Sequence, residues 1–176
     1  ADPVTLTIGL FCNWGLDKIA LNAFLDERLD MSLIKRMDIP PPPAKFLVVD
    51  LGDETLKIPL DEIRPFIPET CGLCPDMTSE WADLSVGMFE GRPGWNTLLV
   101  RSQKGRDLVA GAVAAGLLTT EPMPETNLRH LKDAARNKKR RAFLKVNEKG
   151  LLNPSDETMR ALLRVPQNVV NAILEP

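Results

Sequence analysis

The segment ETCGLCPDMTSEWADLSVG (residues 69–87) places two cysteines, Cys71 and Cys74, two residues apart and then runs into a strand-like stretch. Two thiols at this spacing can hold one metal atom or one edge of an iron–sulfur cluster, because the short turn points both sulfurs the same way. The same spacing also occurs in redox dithiols and in zinc sites. The spacing favours a cluster and leaves a zinc site, a redox dithiol and unligated thiols as alternatives.

The chain offers few other metal ligands, since it has one further cysteine, Cys12, and one histidine, His130. Cys12 ends the apolar run TLTIGLFC (5–12), which predicts a buried strand whose end aims the sulfur toward the Cys71–Cys74 loop. The alternative for Cys12 is a small buried apolar residue. His130 lies in a highly charged segment, which indicates a solvated surface residue. A zinc site needs two more ligands and a cluster usually has four, so the set is incomplete either way.

The composition is that of a globular protein of one domain. Of the 176 residues, 44% are hydrophobic and 26% charged, and the net charge is −2, so no global charge favours nucleic acid or a membrane surface. The longest apolar run, LVAGAVAAGLL (108–118), is shorter than the roughly 20 residues of a membrane span and predicts a buried helix. Three cysteines are too few for a disulfide scaffold and favour a reducing, cytoplasmic compartment.

The order of the predicted elements indicates an α+β fold, with a mixed β-sheet flanked by helices and a C-terminal helical tail. We expect a domain over residues 1–150 and the tail over 151–176. The prolines of IPPPP (39–43) predict a stiff extended spacer. The predicted strands cover 5–12, a hairpin at 45–60, 82–89 and 95–102; the predicted helices cover 16–29, a short turn at 61–67, 104–118, 125–148 and 155–165.

Five blocks together resemble the C-terminal region of the coenzyme F(420) hydrogenase/dehydrogenase beta-subunit family, whose coenzyme is an 8-hydroxy-5-deazaflavin. The blocks follow one another in the family's order and extend over most of residues 5–145. They are IGLFC (8–12), IPLDEIRPFI (58–67), CGLCPDMTSEWADLSVG (71–87), GWNTLLVRSQKG (94–105) and KKRRA (138–142).

The resemblance implies a flavin-linked oxidoreductase that carries FAD and a 4Fe–4S cluster. Such a protein passes hydride to or from the deazaflavin coenzyme, and electrons to or from a hydrogenase, a formate dehydrogenase or another redox subunit. Cys12, Cys71 and Cys74 fall on cysteine positions of the family, so the resemblance implies that they are cluster ligands. Family members usually have a further cysteine-rich N-terminal region, and we expect the fourth ligand from such a segment or from a partner chain.

A flavin needs backbone donors, a flat apolar slot and cations near its pyrophosphate. In the predicted turn, glycines allow close backbone approach, Trp95 offers a stacking face, and Asn96 and Thr97 offer hydrogen bonds. The resemblance adds Lys138 or Arg141 as a contact to an anionic cofactor. The alternative is a plain hairpin with Trp95 in the core. The predicted cofactor-binding set is Gly87, Gly94, Trp95, Asn96, Thr97, Arg101 and Lys138.

Two acidic residues near the cysteines, Asp76 and Asp83, are predicted to brace the loop through backbone N–H groups. Trp81, beside the cysteines, is predicted to lie in the core. The rival to the redox function is a non-catalytic binding or scaffold module of a redox complex, or a domain that uses its cysteines for zinc.

Overall fold

The structure is a computed structural model that describes residues 3–40, 44–151 and 166–174. The chain divides into two compact units. The first unit comprises residues 1–13 and 72–176, and the second comprises residues 14–71. The cysteines divide between them, because Cys12 and Cys74 belong to the first unit and Cys71 is the last residue of the second.

The second unit is built on a three-stranded antiparallel sheet in the order β2–β3–β4, with strands Arg36–Asp38, Phe46–Asp50 and Thr55–Pro59. Its helices are α1 (Lys18–Asp26) and α2 (Leu60–Ile63), and α3 (Glu69–Leu73) begins in it. Short 3₁₀ turns cover Met31–Leu33 and Arg64–Phe66. The sequence sets the start of α1, because the carboxylate of Asp17 accepts hydrogen bonds from the N–H groups of Ile19 and Ala20 at 2.9 and 3.1 Å.

Alternate residues of the hairpin face the core of the second unit. Leu47 and Val49 of β3 and Ile58 of β4 are buried, as the period of two in a strand requires. They meet two leucines of α1, Leu21 and Leu25. This core joins side chains from before and after the proline-rich segment. The hairpin predicted at 45–60 and the helix predicted at 16–29 are both confirmed.

The first unit contains a mixed sheet in the order β1–β5–β6, with strands Ile8–Leu10, Leu84–Met88 and Asn96–Val100. Strands β1 and β5 are parallel, and β5 and β6 are antiparallel. The carboxylate of Asp83 fixes the start of this pairing by accepting hydrogen bonds from the N–H and hydroxyl of Thr7 at 2.9 and 3.0 Å. Asp83 was expected to brace the cysteine loop, but its carboxylate holds the start of β1 instead, because its hydrogen-bond donors are on Thr7.

Three helices complete the described part of the first unit: α4 (Gln103–Ala114), α5 (Glu125–Glu148) and α6 (Gln167–Leu174). Helix α6 packs on α5 through Val170 and Phe143, each 1% exposed. The α+β class, the mixed sheet and a C-terminal helix are confirmed. Among the described residues, no helix is long and apolar enough to cross a bilayer.

Three segments that were predicted to be buried are largely exposed in the structure. Strand β1 lies at an edge of its sheet, and Leu10 is 70% exposed rather than buried. Helix α4 is mostly exposed, since the one buried residue described in it is Gly105, whose Cα lies against the Asp83 carbonyl and the side chain of Leu84. Trp81 is 58% exposed and does not belong to the core. A run of apolar residues indicates how much apolar surface a segment could bury, but it does not predict how much of that surface other elements cover.

Some elements were not predicted, and some predictions fall outside the described residues. Strand β2 and helix α3 were not predicted, whereas α6 falls within the predicted C-terminal helical tail. The prolines at 41–43 and the helix predicted at 155–165 lie outside the residues that the structure describes.

Candidate functional site

Cys12 lies two residues beyond β1, with its backbone tied to the loop that follows Cys74. The Cys12 N–H donates a hydrogen bond to the carbonyl of Met77 at 2.8 Å, and the N–H of Phe11 donates to Val86 at 2.9 Å. The Cys12 side chain is exposed, and the thiol is free. Parallel pairing of β1 with β5 therefore carries the backbone of Cys12 to the loop 74–80.

The loop 74–80 is held by its own aspartate. Both carboxylate oxygens of Asp76 accept backbone hydrogen bonds, from the N–H groups of Thr78 and Glu80 at 3.0 Å each. This confirms the predicted bracing role of Asp76. The half-buried thiol of Cys74 lies 3.6 Å from the Asp76 carbonyl oxygen, to which it donates a weak hydrogen bond.

A close contact between Ser79 and Gly9 docks this loop on β1. Ser79 has a positive φ of 54°, and its hydroxyl donates to the Leu10 carbonyl at 2.7 Å. A Cβ on Gly9 would lie 2.2 Å from the Cβ of Ser79, so glycine is required there. The hydrogen bonds and this close contact thus attach the loop 74–80 to the end of β1 within the first unit.

Lys138 of α5 places a buried ammonium between the two cysteine-bearing segments of this unit. Its side chain donates hydrogen bonds to the carbonyl oxygens of Cys12 at 2.6 Å and Asp76 at 2.8 Å, and the residue is 4% exposed. The next residue, Lys139, forms an ion pair with Glu80 at 2.6 Å. Helix α5 therefore fastens the loop 74–80 at two points.

Cys71 has its own contacts in the second unit. The N–H of Gly15 donates to the Cys71 sulfur at 3.4 Å, and the Cys71 N–H donates to the Pro68 carbonyl at 2.9 Å. The residue is half-buried and its thiol is free. Within residues 3–40, 44–151 and 166–174, no group of three or more histidines, cysteines or acidic residues is gathered so that it could hold a metal ion.

The residues predicted to bind a flavin lie along the β5–β6 hairpin, and several of them have partners inside the protein. Gly87 is opposite Thr97 in the strand register, and the ring of Phe11 lies against the Cα of Gly87. Thr97 is buried and its hydroxyl donates to the Met88 carbonyl at 3.4 Å. Asn96 is exposed at the start of β6.

The turn before Asn96 carries a cation stacked on Trp95. The Arg92 guanidinium carbon lies 3.8 Å from the centroid of the half-buried indole ring. Arg92 also pairs with Glu121 at 2.5 Å, and this hydrogen bond lowers the pKa of the Glu121 carboxyl. Gly94, just before Trp95, has a positive φ of 80°, which only glycine adopts readily. Arg92 was missed in the sequence, although a cation three residues from a tryptophan in a tight turn is a recognisable signal.

Arg101 points into the protein beneath the cysteine loop. Its guanidinium donates to the carbonyl and hydroxyl of Thr78 at 3.0 and 2.9 Å and to the hydroxyl of Ser85. Ser85 is fully buried and Thr78 is 7% exposed. Nothing in the sequence distinguished these two hydroxyls from surface ones, so the anchoring role of Arg101 was not predicted.

Comparison with known protein families assigns the chain to a class of protein. The sequence model for the C terminus of the beta subunit of "Coenzyme F420 hydrogenase/dehydrogenase" matches residues 1–126, and the chain belongs to this family. The resemblance found in the sequence is thereby confirmed.

The individual relatives agree with this assignment. The chain is 32% identical over 127 residues to the coenzyme F420 hydrogenase subunit beta of Methanothermobacter thermautotrophicus, covering 71% of this chain and 44% of that one. It is 30% identical over 162 residues to the corresponding subunit of Methanosarcina barkeri, covering 86% and 55%. The chain thus spans about half the length of these curated relatives.

A solved structure has the same fold. A chain from the xenon-derivatised F420-reducing [NiFe] hydrogenase complex of Methanosarcina barkeri superposes with a TM-score of 0.72 at 25% identity. The match covers 82% of this chain and 50% of that chain.

Proposed function

We propose that this chain is an electron-transfer part of an oxidoreductase complex, in which hydride is exchanged with the deazaflavin coenzyme and electrons with a partner redox subunit. The observation that carries the proposal is the joining of Cys12 to the Cys74 loop in a member of this family, through the hydrogen bond from Cys12 to Met77. The partner is a hydrogenase, a formate dehydrogenase or another redox subunit, and the site of action is the cytoplasm. The division into a domain at 1–150 and a helical tail at 151–176 is part of the same proposal.

The cysteines are the residues that would hold a 4Fe–4S cluster. Thiolates are its usual ligands, and Cys12, Cys71 and Cys74 are all free. The surroundings of Cys12 and Cys74 suit an anionic group, because a buried ammonium donates to the carbonyls beside them. A cluster supplies one-electron transfer when it is bound. The protein's own part is to keep the loop 74–80 rigid through Asp76 and to partly shield Cys74 from water.

Three of the seven residues predicted from the sequence support the flavin part of the proposal. Gly87, Thr97, Arg101 and Lys138 are engaged within the protein, whereas Gly94, Trp95 and Asn96 keep surface available. FAD supplies hydride acceptance when it is bound. Trp95 would offer a ring face, and Asn96 a side-chain hydrogen bond, at the mouth of the hairpin. The Arg92 guanidinium beside them adds positive charge for a pyrophosphate.

The experiment is an anaerobic purification of the protein with its co-purifying subunits, followed by counts of iron, sulfide, flavin and zinc. Two variants serve as controls for each other. Cys74→Ser should lose iron and sulfide and keep its flavin, and Trp95→Ala should lose flavin and keep its iron. Iron retained in Cys74→Ser contradicts the cluster assignment, and flavin retained in Trp95→Ala contradicts the hairpin site. Zinc in place of iron favours the zinc alternative, and a preparation without metal or flavin favours the scaffold alternative.

A further inference from the structure

Lys138 is a buried cation whose partners in the structure are neutral. Its two acceptors are the backbone carbonyls of Cys12 and Asp76. None of the ion pairs found in the described part of the chain includes it, whereas the adjacent Lys139 pairs with Glu80. Because a buried charge is costly unless it is compensated, an ammonium that is held here by neutral carbonyls favours an anionic group nearby.

Besides the Asp76 carboxylate, which accepts from the N–H groups of Thr78 and Glu80, a cysteine thiolate can carry negative charge beside this ammonium. The Asp76 carbonyl oxygen lies 2.8 Å from Lys138 Nζ and 3.6 Å from Cys74 Sγ. The nitrogen and the sulfur are therefore at most about 6.4 Å apart, the sum of those two distances, close enough for a buried charge to act on the sulfur. The other acceptor is the carbonyl of Cys12 itself, which ties the ammonium to both cysteine segments of the first unit.

A second ammonium on the same helix lies beside the cysteine motif. Lys145 is seven residues after Lys138, which returns it to the same face of α5 after about two turns. Its Nζ lies 3.0 Å from the point that a Cβ on Gly72 would occupy. Gly72 lies between the two cysteines of the motif, and its missing side chain leaves room for this lysine. Helix α5 thus presents positive charge at two places along the segment 72–76.

We propose that Lys138 is a positioning residue for a thiolate-ligated anionic group, an inference that rests on the proposed function. Its ammonium holds the Cys12 and Cys74 segments together through their carbonyls. Its charge compensates the negative charge of thiolates that ligate an iron–sulfur cluster. Removing that charge stabilises the oxidised form of such a group relative to the reduced form, which carries one more negative charge, and so lowers its reduction potential.

The test compares Lys138→Met with Lys132→Met in the full protein and its co-purifying subunits. Lys132 is an exposed residue of the same helix, so its variant controls for the loss of one lysine. Lys139→Met is a second control, because it breaks the ion pair to Glu80 in the same loop without touching either cysteine segment's carbonyl. The measurements are amide hydrogen exchange in the segments 9–13 and 74–80, iron content per chain, and the midpoint reduction potential.

Lys138→Met should speed exchange in both segments and, at equal iron content, lower the reduction potential. Lys132→Met should change neither quantity, and Lys139→Met should leave the exchange of 9–13 unchanged. If Lys138→Met does not accumulate as folded protein, Lys138→Gln replaces it, because the amide keeps hydrogen-bond donors but not the charge. The same fall in potential is expected of that variant.

Unchanged exchange in Lys138→Met overturns the positioning role. Faster exchange with an unchanged potential at full iron content means a purely structural lysine and overturns the charge role. A wild-type protein that binds neither iron nor sulfide refutes the cluster of the proposed function, which is a different result. In that case, faster exchange in Lys138→Met still supports the positioning role, and unchanged exchange still overturns it.

Discussion

Substitution of Gly87 by alanine tests how β1 and β5 are packed. A Cβ at this position would lie 1.9 Å from Cδ2 and 2.2 Å from Cγ of the Phe11 ring. Carbon atoms in contact are optimally about 3.5–4.0 Å apart, so the ring or the strand must move by roughly 1.5 Å or more. Overpacking of this kind costs about 1–3 kcal/mol in the free energy of unfolding. The folding equilibrium constant should fall by up to about two orders of magnitude.

The assay is urea unfolding of wild type, Gly87→Ala and a matched control, Gly111→Ala. Gly111 lies within α4, and no atom is within 4 Å of the place where its Cβ would be. Alanine there should stabilise the helix by about 0.5–1 kcal/mol, so the same chemical change is expected to have opposite signs at the two positions. Phe11→Ala in the Gly87→Ala background should recover part of the loss, because it removes the clashing ring.

Two results would refute this reasoning. The first is a Gly87→Ala protein as stable as wild type, which would mean that the ring does not lie against the glycine. The second is strict additivity of Gly87→Ala and Phe11→Ala, since two residues in direct contact should show a coupling energy.

Three further predictions concern the anchors of the first unit. Arg101→Met should lower the free energy of unfolding by about 2–3 kcal/mol in urea denaturation, because it leaves buried hydroxyl and carbonyl acceptors unpaired, and Arg140→Met, at an exposed position, should not. Hydrogen bonds, chiefly from the Ser102 hydroxyl and then from Thr7, lower the pKa of the Asp83 carboxyl. The stability that the ionised carboxylate adds to the folded protein is therefore fully present above the ordinary carboxyl pKa, and it is lost as pH falls through the lowered pKa. Asp83→Asn should therefore flatten the loss of stability below about pH 4 in acid titrations, and an unchanged acid limb would contradict this. Phe143→Ala should cost about 3–5 kcal/mol and expose α6 to limited proteolysis, whereas equal protease resistance would show that this ring does not hold the helix.

The local patterns of the sequence predicted most of the elements. The hairpin at 45–60 was predicted because β-branched and apolar residues flank a Gly-Asp turn. The charged helix predicted at 125–148 has the same bounds as α5 in the structure. The bracing of the loop by Asp76 was also predicted, because a short carboxylate reaches backbone N–H groups close to its own position. Each of these features depends on residues near one another in the chain or on a simple period.

The sites of long-range contact were harder to predict. The resemblance to the family implied that Lys138 contacts an anionic cofactor, and the structure adds that this residue is buried against two carbonyls. Arg101 was expected at a phosphate, and it is bonded to Thr78 and Ser85. A pattern of basic residues does not tell which member of the run turns inward, because that depends on which segment lies across from it.

The sequence by itself determined the family, the α+β class and the aspartate that holds the loop, Asp76, since all of these follow from residue types and short spacings. Only the tertiary structure decided that Cys12 is joined to the loop after Cys74, that Phe11 fills the space above Gly87, and that an ammonium from α5 lies between the two cysteine segments. The physical reason is that these contacts join residues from 62 to 126 positions apart in the chain. Their partners are backbone carbonyls and ring faces, which every sequence contains and which only the packing of strand, loop and helix brings to one place.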